Sequence, residues 1–192
     1  MQRICVYAGS NPGRDPAYAE TSAELGALLA GRGIGVVYGG GKVGLMGILA
    51  DAAMEAGGEV IGVMPQDLIN REIGHSGITD LRVVGTMHER KAMMAELSDG
   101  FIALPGGAGT LEELIEIYTW SQLGLHRSPM GVLNVNGYYD GLAGLFDHAV
   151  DEGFIRPQHR EALHFAATPA DLLDRFAGWE PTYLSKWTER DA

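Results

Sequence analysis

Short apolar runs alternate with longer amphipathic segments along this chain. The runs are continuous rather than alternating, which is typical of parallel strands buried on both faces. The predicted strands are residues 4–8, 35–38, 60–64, 81–84, 101–104 and 130–135. The predicted helices between and after them are residues 17–31, 45–56, 87–97, 111–123, 139–152 and 170–176.

This alternation predicts an α/β fold with a single Rossmann-like domain, in which a mostly parallel sheet carries helices on both faces. A chain of 192 residues suits one domain with one sizeable core. We place that domain at residues 1–178. Trp179, Tyr183 and Trp187 make the tail, residues 179–192, aromatic enough to pack on the body or on a partner subunit. Residues 65–80 fit no element, and long loops of this kind are often functional.

The charge balance limits the choice of partner. Acidic residues outnumber basic ones by 25 to 14, and the net charge of -11 disfavours nucleic acid and anionic membranes. A small anionic ligand fits if a few cations and N–H groups converge. The run at residues 4–8 is too short for a signal peptide, and no segment is long enough to span a bilayer. The single cysteine, Cys5, reads as a buried strand residue. We expect a cytoplasmic protein.

Three predicted strands run into glycine-rich loops at the sheet edge where open α/β folds bind ligands. These loops are residues 9–13, 39–44 and 105–110. Glycine lets the backbone approach a ligand closely, and a helix follows the second and third loops. Helix N-termini supply N–H groups and partial positive charge, so each of these loops is a candidate anion cradle.

Common nucleotide and catalytic motifs are missing. The first loop lacks the dinucleotide fingerprint, and Gly41-Lys42 lacks the leading glycine and the following Ser or Thr of a P-loop. The histidines show no metal-ligand spacing, and Ser10 is not in a nucleophile elbow. The pattern therefore favours neither an NTPase nor metal or covalent-serine chemistry.

Two charged positions are open to more than one interpretation. Thr110 and Glu113 have the spacing of a capping box, a structural role that competes with a catalytic one for Glu113. A second capping box, Thr86 to Glu89, puts Arg90 and Lys91 near a helix N-terminus, where cations oppose the helix dipole at a cost of ~0.3–1 kcal/mol. A salt bridge with Glu89 or Glu96 would explain these cations. An anion held nearby would explain them better.

The motif PGGAGTLEE at residues 105–113 resembles the PGGxGTxxE signature of the Lonely Guy (LOG) family. The similarity extends to GGGKVGLMG at residues 39–47, MHERK at residues 87–91 and WSQLG at residues 120–124. It covers the chain in order from about Ile4 to Phe176. Members of this family are phosphoribohydrolases that release free cytokinin from its riboside 5′-monophosphate, and they were long mislabelled lysine decarboxylases. Nothing in this sequence resembles a pyridoxal phosphate site.

The resemblance implies that Arg90 and Glu113 are catalytic and that the loop at residues 106–110 holds the 5′-phosphate. It also implies a homodimer or larger assembly, with the helix that contains Trp120 and Gln122 near the subunit contact. The predicted substrate and phosphate contacts are Ser10, Gly40, Gly41, Glu72, Lys91, Gly106, Gly107, Ala108, Gly109, Thr110, Leu111, Glu112 and Thr119.

By analogy with glycoside hydrolysis, we expect an ionised Glu113 to stabilise positive charge on the ribose and to orient water. A helix N-terminus would lower the pKa of that carboxyl. No metal ion or organic cofactor is required. A general AMP nucleosidase would use the same residues, since selectivity depends on the pocket around the N6 substituent. A non-catalytic nucleotide or molybdenum-cofactor carrier would need the loops without the Arg90–Glu113 pair.

Overall fold

The computed structural model describes residues 1–69 and 74–180. Its strands are β1 (Arg3–Tyr7), β2 (Gly35–Tyr38), β3 (Val60–Pro65), β4 (Asp80–Val84), β5 (Gly100–Ala103), β6 (Met130–Leu133) and β7 (Leu163–Ala166). Its helices are α1 (Pro16–Gly31), α2 (Gly44–Glu55), α3 (Gln66–Ile69), α4 (Met87–Glu96), α5 (Ala108–Gln122), α6 (Asp140–Asp151), α7 (Pro157–Glu161) and α8 (Pro169–Ala177). Among these helices, none has the length and apolar composition that crossing a membrane would require.

The seven strands form one parallel sheet in the order β4-β3-β2-β1-β5-β6-β7. The direction of winding reverses between β1 and β5, which are neighbours in the sheet although three strands, β2, β3 and β4, lie between them in the sequence. In open α/β sheets the ligand crevice lies beyond the carboxyl ends of the strands at such a reversal. The topology therefore directs attention to the segments that follow β1 and β5.

Successive residues of the central strands face two different cores, as the period of two in a strand requires. Ile4 and Val6 pack in the core on one face of the sheet, whereas Cys5 and Tyr7 pack in the core on the other face. Helices α1, α2 and α8 contribute to the first core, and α4, α5 and α6 contribute to the second. The prediction that Cys5 is a buried strand residue is confirmed.

Helix starts follow local capping chemistry in three cases. The Asp15 side chain accepts a hydrogen bond from the N–H of Ala17 at the start of α1, which has Pro16 in its first turn. Thr86 caps α4 by accepting from the N–H of Glu89, and Thr168 caps α8 in the same way. The capping box predicted at Thr86 is thus confirmed on its threonine side, while the Glu89 carboxylate accepts from the N–H of Gly85.

The predicted α/β class and the six predicted strands and six predicted helices are confirmed, with ends that shift by up to three residues. Three elements were not predicted: β7, which lies at the sheet edge, and the short helices α3 and α7. At the start of the predicted tail, the Trp179 indole N–H donates to the carbonyl of Arg127 at 3.0 Å. Tyr183 and Trp187 lie outside the described residues.

Candidate active site

A cleft of about 320 Å³ opens where the winding of the sheet reverses. Its walls are formed by the segment after β1, the N-terminal turns of α5, one residue each from α2 and α3, and two residues from α4. The lining residues are Ala8, Gly9, Ser10, Met46, Leu68, Met87, Arg90, Gly107, Ala108, Gly109, Thr110 and Glu113. The predicted residues Arg90, Glu113, Ser10 and those at 107–110 therefore lie together, as an open parallel sheet requires.

Three oxygen acceptors hold the Arg90 guanidinium. Its Nε donates to the carbonyl of Val63 at 3.1 Å, and its Nη2 donates to the carbonyl of Gly39 at 3.4 Å. Its Nη1 lies 3.2 Å from Oε1 of Glu113, and both side chains are only 11% exposed. Gly39 permits this arrangement, because a Cβ at that position would overlap the Arg90 guanidinium. The guanidinium is thus oriented before any ligand arrives.

Glu113 lies in the second turn of α5, because the helix begins at Ala108 with Gly107 as its N-cap. The capping box proposed between Thr110 and Glu113 is therefore wrong, since Thr110 is already inside the helix. Burial raises the pKa of the Glu113 carboxyl above its ordinary value, and the neighbouring Arg90 opposes this rise. The expectation that the helix N-terminus would lower this pKa is also wrong, because desolvation is the largest effect.

The loop after β5 presents an uncapped helix N-terminus to the cleft. No side chain caps α5 at Gly107, and the first N–H groups of a helix have no partner within it. They carry the positive end of the helix dipole, so this turn can bind an anion. A side chain at Gly106 would overlap the buried Thr110, which makes glycine necessary there. Gly106 itself faces a smaller neighbouring cavity.

The second glycine loop packs closely against neighbouring segments of the chain. Gly44 adopts a φ of +64° and packs against the backbone of Ser10, where a Cβ would overlap. The N–H of Leu45 donates to the carbonyl of Gly9 at 3.0 Å, so a protein carbonyl occupies a donor of the α2 N-terminus. Gly40 and Gly41 are not among the described residues that line the cleft. This loop positions Arg90 and the segment after β1, and a phosphate contact of Gly40 and Gly41 stays a prediction.

Gly40 and Gly41 are tied to the far end of the loop before β4. The N–H of His75 donates to the carbonyl of Gly40 at 3.0 Å, and Gly41 forms an isolated bridge with Gly74. The buried His75 ring lies 2.8 Å from an Asp51 carboxylate oxygen. Glu72, which the resemblance places at the substrate, lies outside the described residues.

Lys91 joins α4 to α5 outside the cleft. Its Nζ lies 2.5 Å from Oε1 of Glu112 and 3.0 Å from Oε1 of Glu116. The predicted salt bridge of this lysine with Glu89 or Glu96 is therefore wrong. The bond with Glu112 is the main reason that the Lys91 pKa is raised. Lys91 and Glu112 are not brought into the cleft lining.

The remaining two predicted contacts also lie on α5 away from the cleft. Leu111 is partly exposed, and the Thr119 hydroxyl donates to the carbonyl of Ile115 within its own helix at 2.7 Å. Conversely, an apolar wall of the cleft is formed by three residues that were not predicted as site residues, Met46, Leu68 and Met87. Met46 and Met87 belong to predicted helices and Leu68 to the segment that fits no element, so only the fold distinguishes them from core or loop residues.

The model of a protein family described as "Possible lysine decarboxylase" matches residues 46–176. The cytokinin riboside 5′-monophosphate phosphoribohydrolase LOG7 of Arabidopsis thaliana is 49% identical over 183 residues, which cover 95% of this chain and 84% of that protein. The phosphoribohydrolase LOG of Oryza sativa subsp. japonica is 48% identical over 95% of this chain and 76% of its own length.

Solved structures share the fold at lower identity. The molybdenum cofactor carrier protein of Chlamydomonas reinhardtii superposes with a TM-score of 0.69 at 22% identity, over 93% of this chain and 99% of that chain. The molybdenum cofactor binding protein of Rippkaea orientalis gives a TM-score of 0.69 at 21% identity, over 93% and 96%. Identities this low establish the fold alone. The matches to the family model and to the plant proteins show that this chain belongs to the possible lysine decarboxylase family, and within it to the Lonely Guy (LOG) proteins.

Proposed function

We propose that this chain is an N-glycosyl hydrolase that cleaves cytokinin riboside 5′-monophosphate, an N6-substituted AMP, into free base and ribose 5-phosphate. The observation that carries the proposal is that the Arg90–Glu113 ion pair and the uncapped N-terminus of α5 line the same cleft. The relatives named as phosphoribohydrolases, at nearly half identity over most of this chain, support the same activity.

The 5′-phosphate is assigned to the turn formed by Gly107, Ala108 and Gly109, with Ser10 beside it. Backbone N–H groups at a helix start, with the helix dipole behind them, suit a dianion in a chain whose overall charge is negative. Holding the phosphate fixes the sugar relative to Glu113, so binding energy is converted into alignment.

The Glu113 carboxylate is assigned to the anomeric carbon. Breaking the bond from C1′ to N9 builds positive charge on the ribose, and a nearby carboxylate stabilises that charge. Glu113 also orients the water whose oxygen bonds to C1′ and whose proton is taken up by the departing base. Arg90 holds Glu113 in place through the 3.2 Å ion pair and faces the ribose hydroxyls or phosphate.

The apolar wall of Met46, Leu68 and Met87 suits the flat face of a purine. The resemblance also predicts substrate contacts that stay predictions, those of Glu72, Lys91, Leu111, Glu112 and Thr119. Lys91 and Glu112 form an ion pair with each other, so a substrate contact of either residue would add to that ion pair.

Pyridoxal phosphate does not fit this cleft, despite the family's description. That cofactor is held as a Schiff base by a lysine. Among the described residues that line the cleft there is no lysine, and Lys91 is engaged by two carboxylates. We derive no decarboxylation step for this site.

The test is an assay of purified protein with AMP and with isopentenyladenosine 5′-monophosphate, following ribose 5-phosphate release. Faster turnover of the isopentenyl substrate supports cytokinin activation, and faster turnover of AMP supports the alternative of a general AMP nucleosidase. Release from neither substrate, together with tight nucleotide or molybdenum-cofactor binding, would establish a carrier instead.

We further propose a cytoplasmic homodimer. Leu123 and Leu125 near the end of α5 are exposed, and an apolar cavity of about 320 Å³ that Trp120 and Leu125 help to line lies beside them. Exposed apolar surface of this kind is typical of subunit contacts. Light scattering coupled to gel filtration measures the assembly, and a Leu125→Asp variant should shift it towards monomer.

A further inference from the structure

Tyr138 approaches the proposed phosphate loop from a second cavity. This cavity, of about 230 Å³, adjoins the cleft, and Tyr138 lies in its lining with Gly106 and Gly107. The Tyr138 hydroxyl donates a 2.6 Å hydrogen bond to the carbonyl of Gly106. Of the two glycines, only Gly107 also lines the cleft that holds Arg90 and Glu113.

The peptide bond between Gly106 and Gly107 links these two sides. In a planar trans peptide the C=O and the following N–H point in opposite directions. A Gly106 carbonyl bound by Tyr138 therefore leaves the Gly107 N–H directed away from Tyr138. If this peptide rotated, a carbonyl would replace an N–H at the turn. Two adjacent glycines would offer little steric resistance to that rotation.

The segment that carries Tyr138 is well anchored. The Asn134 side chain accepts from the N–H of Tyr139 and donates to the Asp140 carboxylate, each at 2.7 Å. Asn136, in the left-handed region at φ 51°, donates to Asp15 at 2.9 Å. The Tyr138 ring therefore starts from a fixed backbone.

Tyr139, the next residue, binds a different part of the same strand end. Its hydroxyl donates to the carbonyl of Leu104 at 2.7 Å, and its side chain is buried, whereas that of Tyr138 is 44% exposed. The two tyrosines thus allow a matched comparison. Tyr139 makes a buried hydrogen bond, whereas Tyr138 makes a partly exposed hydrogen bond to the glycine turn.

We propose that Tyr138 is a positioning residue that keeps the Gly107 N–H turned towards the substrate phosphate. This inference rests on the proposed function. Tyr138 does not touch the reacting atoms, so it acts on affinity for the phosphate group and not on cleavage of the glycosidic bond.

The test is a Tyr138→Phe variant, which keeps the ring and removes the hydroxyl. A lost neutral hydrogen bond corresponds to about a 3–10-fold loss of affinity. We expect the Kd for AMP and the KM for the nucleotide substrate to rise by that factor, with kcat within about twofold. The Kd for adenosine, which lacks the phosphate, should not change. Titration calorimetry gives both Kd values.

Two further variants separate positioning from stability. Tyr18→Phe changes a ring that packs edge-on against Tyr138, with centroids 5.7 Å apart, and should leave both Kd values at wild-type levels. Tyr139→Phe should lower Tm with an unchanged ratio of the two Kd values. Equal effects of Tyr138→Phe on AMP and adenosine, or no effect on either, would overturn the role of Tyr138. Wild-type protein that binds AMP no more tightly than adenosine would instead overturn the phosphate assignment itself.

Discussion

Replacing Glu113 by glutamine separates the catalytic interpretation of this residue from a structural one. The variant keeps the shape of the side chain and one carbonyl acceptor for Arg90, but removes the charge. If an ionised carboxylate stabilises the ribose cation, kcat should fall about 10²–10³-fold, the usual effect of losing one electrostatic contact to a transition state. Glu116→Gln, one turn further along α5, should keep kcat within about threefold.

The stability of Glu113→Gln follows from the pKa of the carboxyl. Two unit charges 3.2 Å apart attract by about 5 kcal/mol at an effective dielectric constant near 20. Nevertheless burial raises the Glu113 pKa, so the cost of desolvating the carboxylate exceeds its attraction to Arg90. The carboxyl therefore stabilises the fold below its unfolded pKa of about 4.3, and this contribution is lost as pH rises through the folded pKa.

The neutral glutamine should consequently unfold at pH 7 at a Tm no more than about 3 °C below that of wild type, which corresponds to about 1 kcal/mol for a chain of this length. The wild-type rate should have an acid limb above pH 4.3, the ordinary glutamate pKa being about that value, because activity requires the ionised group. Calorimetry measures the Tm, and a pH profile of kcat measures the acid limb. A variant that retains a rate within tenfold of wild type, with the same acid limb, would refute the assignment of Glu113.

Two other perturbations test the surroundings of the pair. Gly39→Ala would push the Arg90 guanidinium aside and should lower kcat about 10–100-fold, since small displacements of catalytic groups are costly; Gly31→Ala, whose new Cβ meets nothing within 4 Å, is the matched control and should leave the rate unchanged. Lys91→Met leaves Glu112 and Glu116 facing each other without a cation and should destabilise the protein by about 1 kcal/mol in denaturant titrations at low salt, less in 1 M NaCl because salt screens like charges. An increase in the KM of Lys91→Met, measured under conditions where the variant is fully folded, would support the predicted substrate contact of Lys91.

Most of the fold follows from the sequence because its central strands are buried on both faces. Residues 35–38 and 60–64 are apolar at every position except glycine, and glycine-rich turns mark their ends. The edge strand β7 was missed for the converse reason: His164 and Phe165 are only partly buried, and the segment between two short helices has no continuous apolar run. Edge strands carry less of the pattern by which central strands are identified.

The sequence predicted several residues that line the cleft, but it did not predict how they are arranged. The glycine motif identified the loop after β5, and a cation near a helix N-terminus identified the helix of Arg90. The glycines after β2 also suggested an anion cradle at Gly40 and Gly41. In the structure Gly40 has a φ of +80°, and a Cβ at Gly41 would lie 2.9 Å from Cε of Met46, so both glycines also meet conformational and packing needs that have the same sequence signature. Burial of Glu113 could not be read locally, because it depends on α4 lying beside α5.

The two residues of the pair show how local rules succeed and fail. Arg90 breaks a local rule, because a cation near a helix N-terminus opposes the helix dipole, and the structure places this residue in the cleft. Glu113 satisfied a local rule, the capping box, and that agreement was misleading because α5 begins three residues before the predicted start. The acceptors of Arg90 come from β3, from the turn after β2 and from α5. An unfavourable charge on one helix, an unexplained glycine after β2 and a buried acid on another helix are therefore one arrangement, which only the tertiary structure makes visible.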